Sequence, residues 1–286
     1  MMSHNRQKKI AAINDFCGFG RCSIAVSLPI ISAMKVQCCP LPTSIFSNHT
    51  GYDSFFYTDY TQHMDAYIDE WVKLNLHFDG ILTGFLSSPE QIAIVKRFLE
   101  LFKKSNNVTI VDPVMGDCGK LYQTYSPALA DQMISLVPYA DILTPNLTEA
   151  CILTKTEYDP NMSESELTHI CEKLNSAGPK KIVISGLERG AYLENFVYEF
   201  GKKPQIIRTK KVGACRAGTG DVFSSIIAAD SVNGIQFTDA ILHASSFIAK
   251  VLYRTIELDL PQTDGLCFEE YLTEIRGETY YEKQQG

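Results

Sequence analysis

The chain has 286 residues, 45% of them hydrophobic and 21% charged, a balance that supports a sizeable core and argues against disorder. A formal net charge of −7 at pH 7 argues against a nucleic-acid surface as its main business, and the basic residues Lys202, Lys203 and 208–211 are read as a solvated loop. No apolar run reaches membrane-spanning length, and the apolar segment 10–13 behind a basic start is too short for a signal-peptide core, so no membrane partner and a cytoplasmic location are expected.

In chain order, short β-branched runs alternate with amphipathic stretches, the pattern of a parallel sheet wrapped by helices. Strands are expected at residues 9–14, 37–41, 80–84, 108–112, 141–144 and 181–185. Helix starts are marked by Ser88 with Pro89 and Glu90 behind it, by Ser126 with Pro127, and by Ser163 with Glu166 as a capping box. Asn146 and Glu149 have the same spacing. A further helix follows Gly218-Thr219-Gly220-Asp221 and runs through the apolar stretch 222–229. With no internal repeat and no linker rich in Pro, Gly or Ser, a single domain is expected over 1–276, followed by a polar tail at 277–286.

Ligands on open parallel sheets bind outside the carboxyl ends of the strands, and the polar residues of this chain fall there. The strand ending at Val111 runs into Asp112 and, past a proline turn and a glycine, Asp117. The next runs into Thr144, Asn146 and Glu149, and the one after it ends in Ser185. Asp112, Asp117 and Glu149 are hard oxygen donors suited to Mg²⁺, directly or through its waters, although Asn146 with Glu149 also serves as a helix cap and Asp-Pro is common in turns. The Gly218 to Asp221 tetrad offers backbone amides for an anion and a carboxylate beside them, as phosphoryl transfer to an alcohol requires, while an aspartate after a glycine turn can equally be a cap.

These motifs, in this order, resemble the ribokinase-like fold and within it the pyridoxal (vitamin B6) kinases: Asn14-Asp15, the string from Phe46 through Ser47-Asn48-His49-Thr50-Gly51-Tyr52, Leu82-Thr83-Gly84-Phe85, Asp112 to Asp117, Thr144-Pro145-Asn146 with Glu149, and Gly218 to Asp221. The resemblance implies a three-layer α/β/α fold around a central, mostly parallel sheet. It implies ATP-dependent phosphorylation of the 5′-hydroxymethyl group of a B6 vitamer, with Mg²⁺ and room for a monovalent cation, K⁺ or Na⁺. Asp221 would accept the hydroxyl proton, and the amides of Gly218, Thr219 and Gly220 would hold the transferring phosphate. Asp112, Asp117 and Glu149 would organise the metal, with Asp112, Thr144, Asn146, Glu149, Ser185 and Thr219 toward ATP. Asp15, Ser44, Phe46, Thr50, Phe85 and Tyr122 would form the vitamer side. A homodimer is implied by the same resemblance. The competing readings are a hydroxymethylpyrimidine kinase of thiamine synthesis, opposed by the 47–52 string, and a non-catalytic vitamer- or nucleotide-binding protein, opposed by the intact Asp221.

Two residues depart from the family pattern. Serine usually stands where this chain has Asp15, and tyrosine often stands where it has Phe85; a carboxylate at 15 predicts an altered preference among pyridoxal, pyridoxine and pyridoxamine. The helix start is expected to favour ionised Asp221 by roughly 0.3–1 kcal/mol and so to weaken it as a base. Arg216 is either a phosphate contact or a surface arginine. Nine cysteines, without paired CxxC clusters or histidines at zinc spacing, indicate neither a disulfide framework nor a structural metal site. Cys17 and Cys22 are read as packing residues, and Cys38-Cys39 as part of a buried strand.

Overall fold

The computed structural model describes residues 3–275, so the tail expected at 277–286 lies outside the described residues. The chain runs β1 (Lys9–Cys17), α1 (Ile24–Ala33), β2 (Gln37–Phe46), β3 (Tyr57–Asp59), α2 (Thr61–Lys73), β4 (Gly80–Thr83), α3 (Pro89–Phe102) and β5 (Val108–Val111). It continues through a small hairpin, β6 (Gly116–Asp117) and β7 (Lys120–Leu121), then α4 (Pro127–Met133), β8 (Ile142–Leu143), α5 (Leu147–Thr154) and α6 (Glu164–Ala177). The last elements are β9 (Lys181–Arg189), β10 (Tyr192–Glu199), β11 (Gln205–Lys210), α7 (Thr219–Asn233) and α8 (Phe237–Glu257).

Nine strands form one sheet in the order β11-β10-β9-β8-β5-β4-β1-β2-β3. The six central strands are parallel, and β3, β10 and β11 add antiparallel margins. Strand residues alternate between two cores, as a pleat requires. Ile81, Val111, Leu143 and Ile184 pack toward α2 to α6, whereas Ile10, Leu82, Ile110 and Val183 pack toward α1, α7 and α8. The result is the expected α/β/α sandwich. Its capped helices begin where the sequence marks them: the hydroxyls of Ser88 and Ser126 accept from Gln91 and Leu129 amides, and both Ser163/Glu166 and Asn146/Glu149 close complete capping boxes.

Three differences from the sequence reading have physical causes. β2 continues past residue 41 to Phe46 because Pro40 and Pro42 fall where its outer edge has no partner; β3 pairs only with Ser44 to Phe46. The stretch 208–211 is not a solvated loop. Arg208 lies in β11 opposite Glu194 of β10 and binds its carboxylate, while Lys211 pairs with Glu188 at 2.8 Å. The hairpin β6/β7, too short to announce itself by period, rises directly from the acidic end of β5.

Candidate active site

The carboxyl ends of β1, β4, β5, β8 and β9 and the start of α7 surround one cleft of about 1030 Å³. At its centre is the turn into α7. Gly218 caps the helix in the left-handed region, φ 75°, with a side-chain position that would fall 1.9 Å from the Arg21 carbonyl oxygen, so only glycine fits there. Asp221 is therefore the third helical residue, not the cap, and no side-chain cap is present. In that first turn the amides of Gly220 and Asp221 have no intrahelical carbonyl to reach. Thr219 differs: its hydroxyl donates to the Arg216 carbonyl at 2.9 Å and its amide to the same oxygen at 3.4 Å, which spends both groups on shaping the turn.

Asp221 is enclosed by protein yet partly reachable from the cleft. Burial pushes its carboxyl above the usual aspartate range, opposed by the Ser23 backbone amide and by Asn14, whose Nδ2 donates to Oδ1 at 3.1 Å. This corrects the expectation of a weakened base, because desolvation outweighs the partial charge of the helix start. The sequence motif alone assigns Asn14 no role. Its Oδ1 accepts from the Phe85 amide at 2.8 Å and the Asp15 amide at 3.0 Å, fixing the amide plane that holds Asp221. Gly84 makes room for it, since a Cβ there would lie 2.5 Å from the Asn14 side chain.

On one side of Asp221 the walls are Asp15, Phe46, Thr50 and Phe85, whereas Tyr122, which also lines the cleft, lies toward Glu149, Asp117 and Asp112. Phe46 packs edge-on to Phe85 at 6.1 Å between ring centroids and stacks on Tyr57 at 5.2 Å. Asp15 is buried and pushed up to about 6, by desolvation first and by the nearby Asp221 charge, against hydrogen bonds from Ser23 and Cys17. Ser44 does not reach this wall. β2 carries a bulge opposite Asp15, where Asn14 pairs with Pro42 but Phe16 with Ile45, and Ser44 is left fully buried with no hydrogen-bond partner for its hydroxyl. The 47–52 loop is pinned from the far side: His49 Nε2 meets the Thr263 carbonyl at 2.7 Å, and the Tyr52 hydroxyl donates to Asp264 at 3.0 Å.

The other side is acidic. Asp112 at the end of β5 is buried and pushed well above its ordinary value by desolvation and the like charges of Glu149 and Asp221. Glu149, also buried, is pushed up to about 8 by desolvation, although its oxygens accept from the amides of Asn146 at 2.8 Å and Met115 at 3.0 Å. Asn146 donates to the Gly116 carbonyl at 2.8 Å, so the capping box also carries the base of the β6/β7 hairpin, on which Asp117 and Tyr122 face the cleft. Asp112, Asp117 and Glu149 do not converge as three direct ligands; among the described residues the only such group of three is Asp15, Cys17 and Cys22. The hard donors of Asp112 and Asp117 fit a Mg²⁺ that keeps most of its waters and binds a phosphate ligand. Thr144 and Ser185 also line this end, the Thr144 hydroxyl buried and unpartnered. Arg216 also lines the cleft, with its Nη1 donating to the carbonyls of Leu260 and Pro261, each at 2.8 Å.

A family model described as phosphomethylpyrimidine kinase matches residues 24–264. The pyridoxal kinase of Arabidopsis thaliana is 31% identical over 205 residues, 66% of this chain and 62% of that protein, so the match spans less than two thirds of this relative's length. A crystal structure from Bacteroides thetaiotaomicron, described as a phosphomethylpyrimidine kinase, is 35% identical over 96% of both chains with a TM-score of 0.93; another form of it, 34% identical, holds pyridoxal. Pyridoxal kinase from Lactobacillus plantarum is 26% identical, with a TM-score of 0.87 over 95% of this chain and 97% of that one. With its matched domain, its nine-stranded sheet and these neighbours, the chain belongs to the pyridoxal kinase family of ribokinase-like proteins.

Proposed function

We propose that the protein transfers the terminal phosphoryl group of ATP to the 5′-hydroxymethyl group of a B6 vitamer. The observation that carries this reading is the position of Asp221 between an aromatic-walled compartment and an acidic one in a single cleft. The vitamer ring lies against Phe46 and Phe85, beside Asp15. Asp221 receives the hydroxyl proton as the oxygen attacks. Asn14 keeps the accepting oxygen aimed, and the raised proton affinity of the buried carboxylate suits it to take a proton that moves late, as in a loose transition state. The amides at the start of α7 stabilise the transferring group, while Thr144 and Ser185 bind toward the nucleotide. Mg²⁺ would supply charge neutralisation for the phosphates, with Asp112 and Asp117 holding it directly or through water and Glu149 positioning the loop between them.

The relative holding pyridoxal supports the vitamer as substrate. Hydroxymethylpyrimidine is the second reading, favoured by the description of the matching family model. ATP consumption measured in parallel with pyridoxal, pyridoxine, pyridoxamine and hydroxymethylpyrimidine decides between them; turnover on the pyrimidine alone overturns the vitamer reading. Asp221→Ala is expected to lower kcat by about 10²–10⁴-fold, and parental turnover in that variant would remove Asp221 from the mechanism.

A further inference from the structure

Beyond the acidic end, a second group of donors faces the cleft. β1 does not stop at Asn14 but carries Asp15 and Cys17 onward, and the chain then turns sharply and returns to pair Ser23 with Phe16. The loop inside that clamp spans residues 17–22, with its two cysteines at the ends. Gly20, Arg21 and Ser23 all take positive φ, at 107°, 45° and 57°, which folds it tightly enough to bring Cys17 and Cys22 together. It is fastened from outside: the Gly18 amide donates to the Phe46 carbonyl at 2.9 Å, Arg21 pairs with Glu269 at 2.6 Å, and its Nη1 donates to the Asp264 carbonyl at 3.0 Å. A spacing of four residues between cysteines hides this meeting from a reading of linear zinc patterns.

The thiols of Cys17 and Cys22 and a carboxylate oxygen of Asp15 all lie within 4.8 Å of one another, and all three residues are buried while lining the cleft. Cys17 Sγ is 3.4 Å from Asp15 Oδ2. Around a tetrahedral zinc ion, a sulfur and a carboxylate oxygen lie about 3.5 Å apart and two sulfurs about 3.8 Å apart, so the group needs only small side-chain adjustment to close on an ion. Two thiolates with one carboxylate select a soft or borderline cation over Mg²⁺, and three protein ligands leave a fourth position open toward the cavity.

We propose that Asp15, Cys17 and Cys22 bind one thiophilic divalent cation of the zinc class, its fourth coordination position opening into the cleft. Binding displaces the two thiol protons to solvent and gives the buried Asp15 carboxylate a counter-ion beside Asp221. The site is separate from the acidic end that suits Mg²⁺, and it does not rest on the proposed phosphoryl transfer.

The test is titration of the full-length protein with Cd²⁺ in a phosphine reductant, following the ultraviolet cadmium–thiolate charge-transfer band. The band is expected to saturate at one equivalent, to persist in a Cys118→Ser/Cys215→Ser variant, and to disappear in Cys17→Ser/Cys22→Ser. No band in the parent protein, or an unchanged band in the Cys17/Cys22 variant, overturns the site. Anomalous diffraction from crystals of the unaltered protein loaded with Zn²⁺ decides the matter even if that variant does not fold. An ion between these three side chains supports the assignment, and ordered zinc only elsewhere, or no ordered zinc, overturns it.

Discussion

Asp15 and Asp221 are like charges brought together beneath the cleft, and each is raised by its burial before any ligand arrives. For Asp15 the effect on stability has a definite sign. Its folded value near 6 exceeds its ordinary 3.8, so between about pH 4 and pH 6 the folded chain holds more protons than the unfolded chain, and stability falls as pH rises through that window. A displacement of that size corresponds to roughly 3 kcal/mol, lost in full above pH 6. Asp15→Asn is therefore expected to melt at a higher temperature than the parent at neutral pH and to lose that advantage near pH 4; equal differences at both values would show that the carboxylate does not titrate as described. Asp15→Ser is expected to change the ratio of specificity constants among the three vitamers, and identical ratios would refute the selective role. Asn14 makes the opposite kind of contribution, satisfying two backbone amides while aiming Asp221. Asn14→Ala leaves these buried donors unpaired at about 1–3 kcal/mol each and should lower kcat more than it changes KM for ATP, measured by steady-state kinetics.

At the scale of elements, the start of α5 joins the sheet to the hairpin over the cleft. The Asn146 side chain accepts from the Glu149 amide at 3.0 Å and donates to the Gly116 carbonyl, while Glu149 returns to the Asn146 and Met115 amides. Asn146→Ala removes a helix cap and this hairpin anchor together, so a loss of about 1–2 kcal/mol is expected by denaturant melting, larger than a cap alone typically gives. The capping box was legible from residue types and spacing, because capping is a local geometry of four residues. The hairpin was not. Its strands are two residues each, and it is held by contacts with α5 and by Gly116, whose missing side chain lets the Lys120 carbonyl approach to 2.2 Å from the Cβ position. The same limit explains Ser44, which a linear motif assigns to the vitamer wall and a bulge in β2 carries behind it.

For the whole molecule, the sheet ends at β3, an edge strand whose three residues are all exposed. Tyr57 of β3, Phe56 just before it and Ile45 opposite it on β2 are exposed large apolar residues, Phe56 at 72%. An edge with aromatic cover invites pairing with another chain, and we expect the homodimer implied by the family to form there. Light scattering after size exclusion should give twice the chain mass for the parent and the single mass for Phe56→Asp; a monomeric parent would end that expectation. Among the described residues no helix is long and apolar enough to cross a membrane.

The sequence by itself determined the alternation of strand and helix, the helix caps, and the order of Asp112, Asp117, Thr144, Asn146, Glu149 and Gly218 to Asp221, because these follow from local periodicity, short-range hydrogen bonding and the placement of polar residues after strands. It marked Gly218 to Asp221 as a glycine turn running into a helix, with amides for an anion, while the left-handed backbone of Gly218 came from the fold. Only the tertiary structure decided that Asp221 holds its proton more tightly than an ordinary aspartate, that Arg216 is committed to the 260–261 carbonyls, and that Cys17, Cys22 and Asp15 meet. Desolvation and three-way contact depend on what surrounds a side chain in space, and neighbours in the chain do not carry that information.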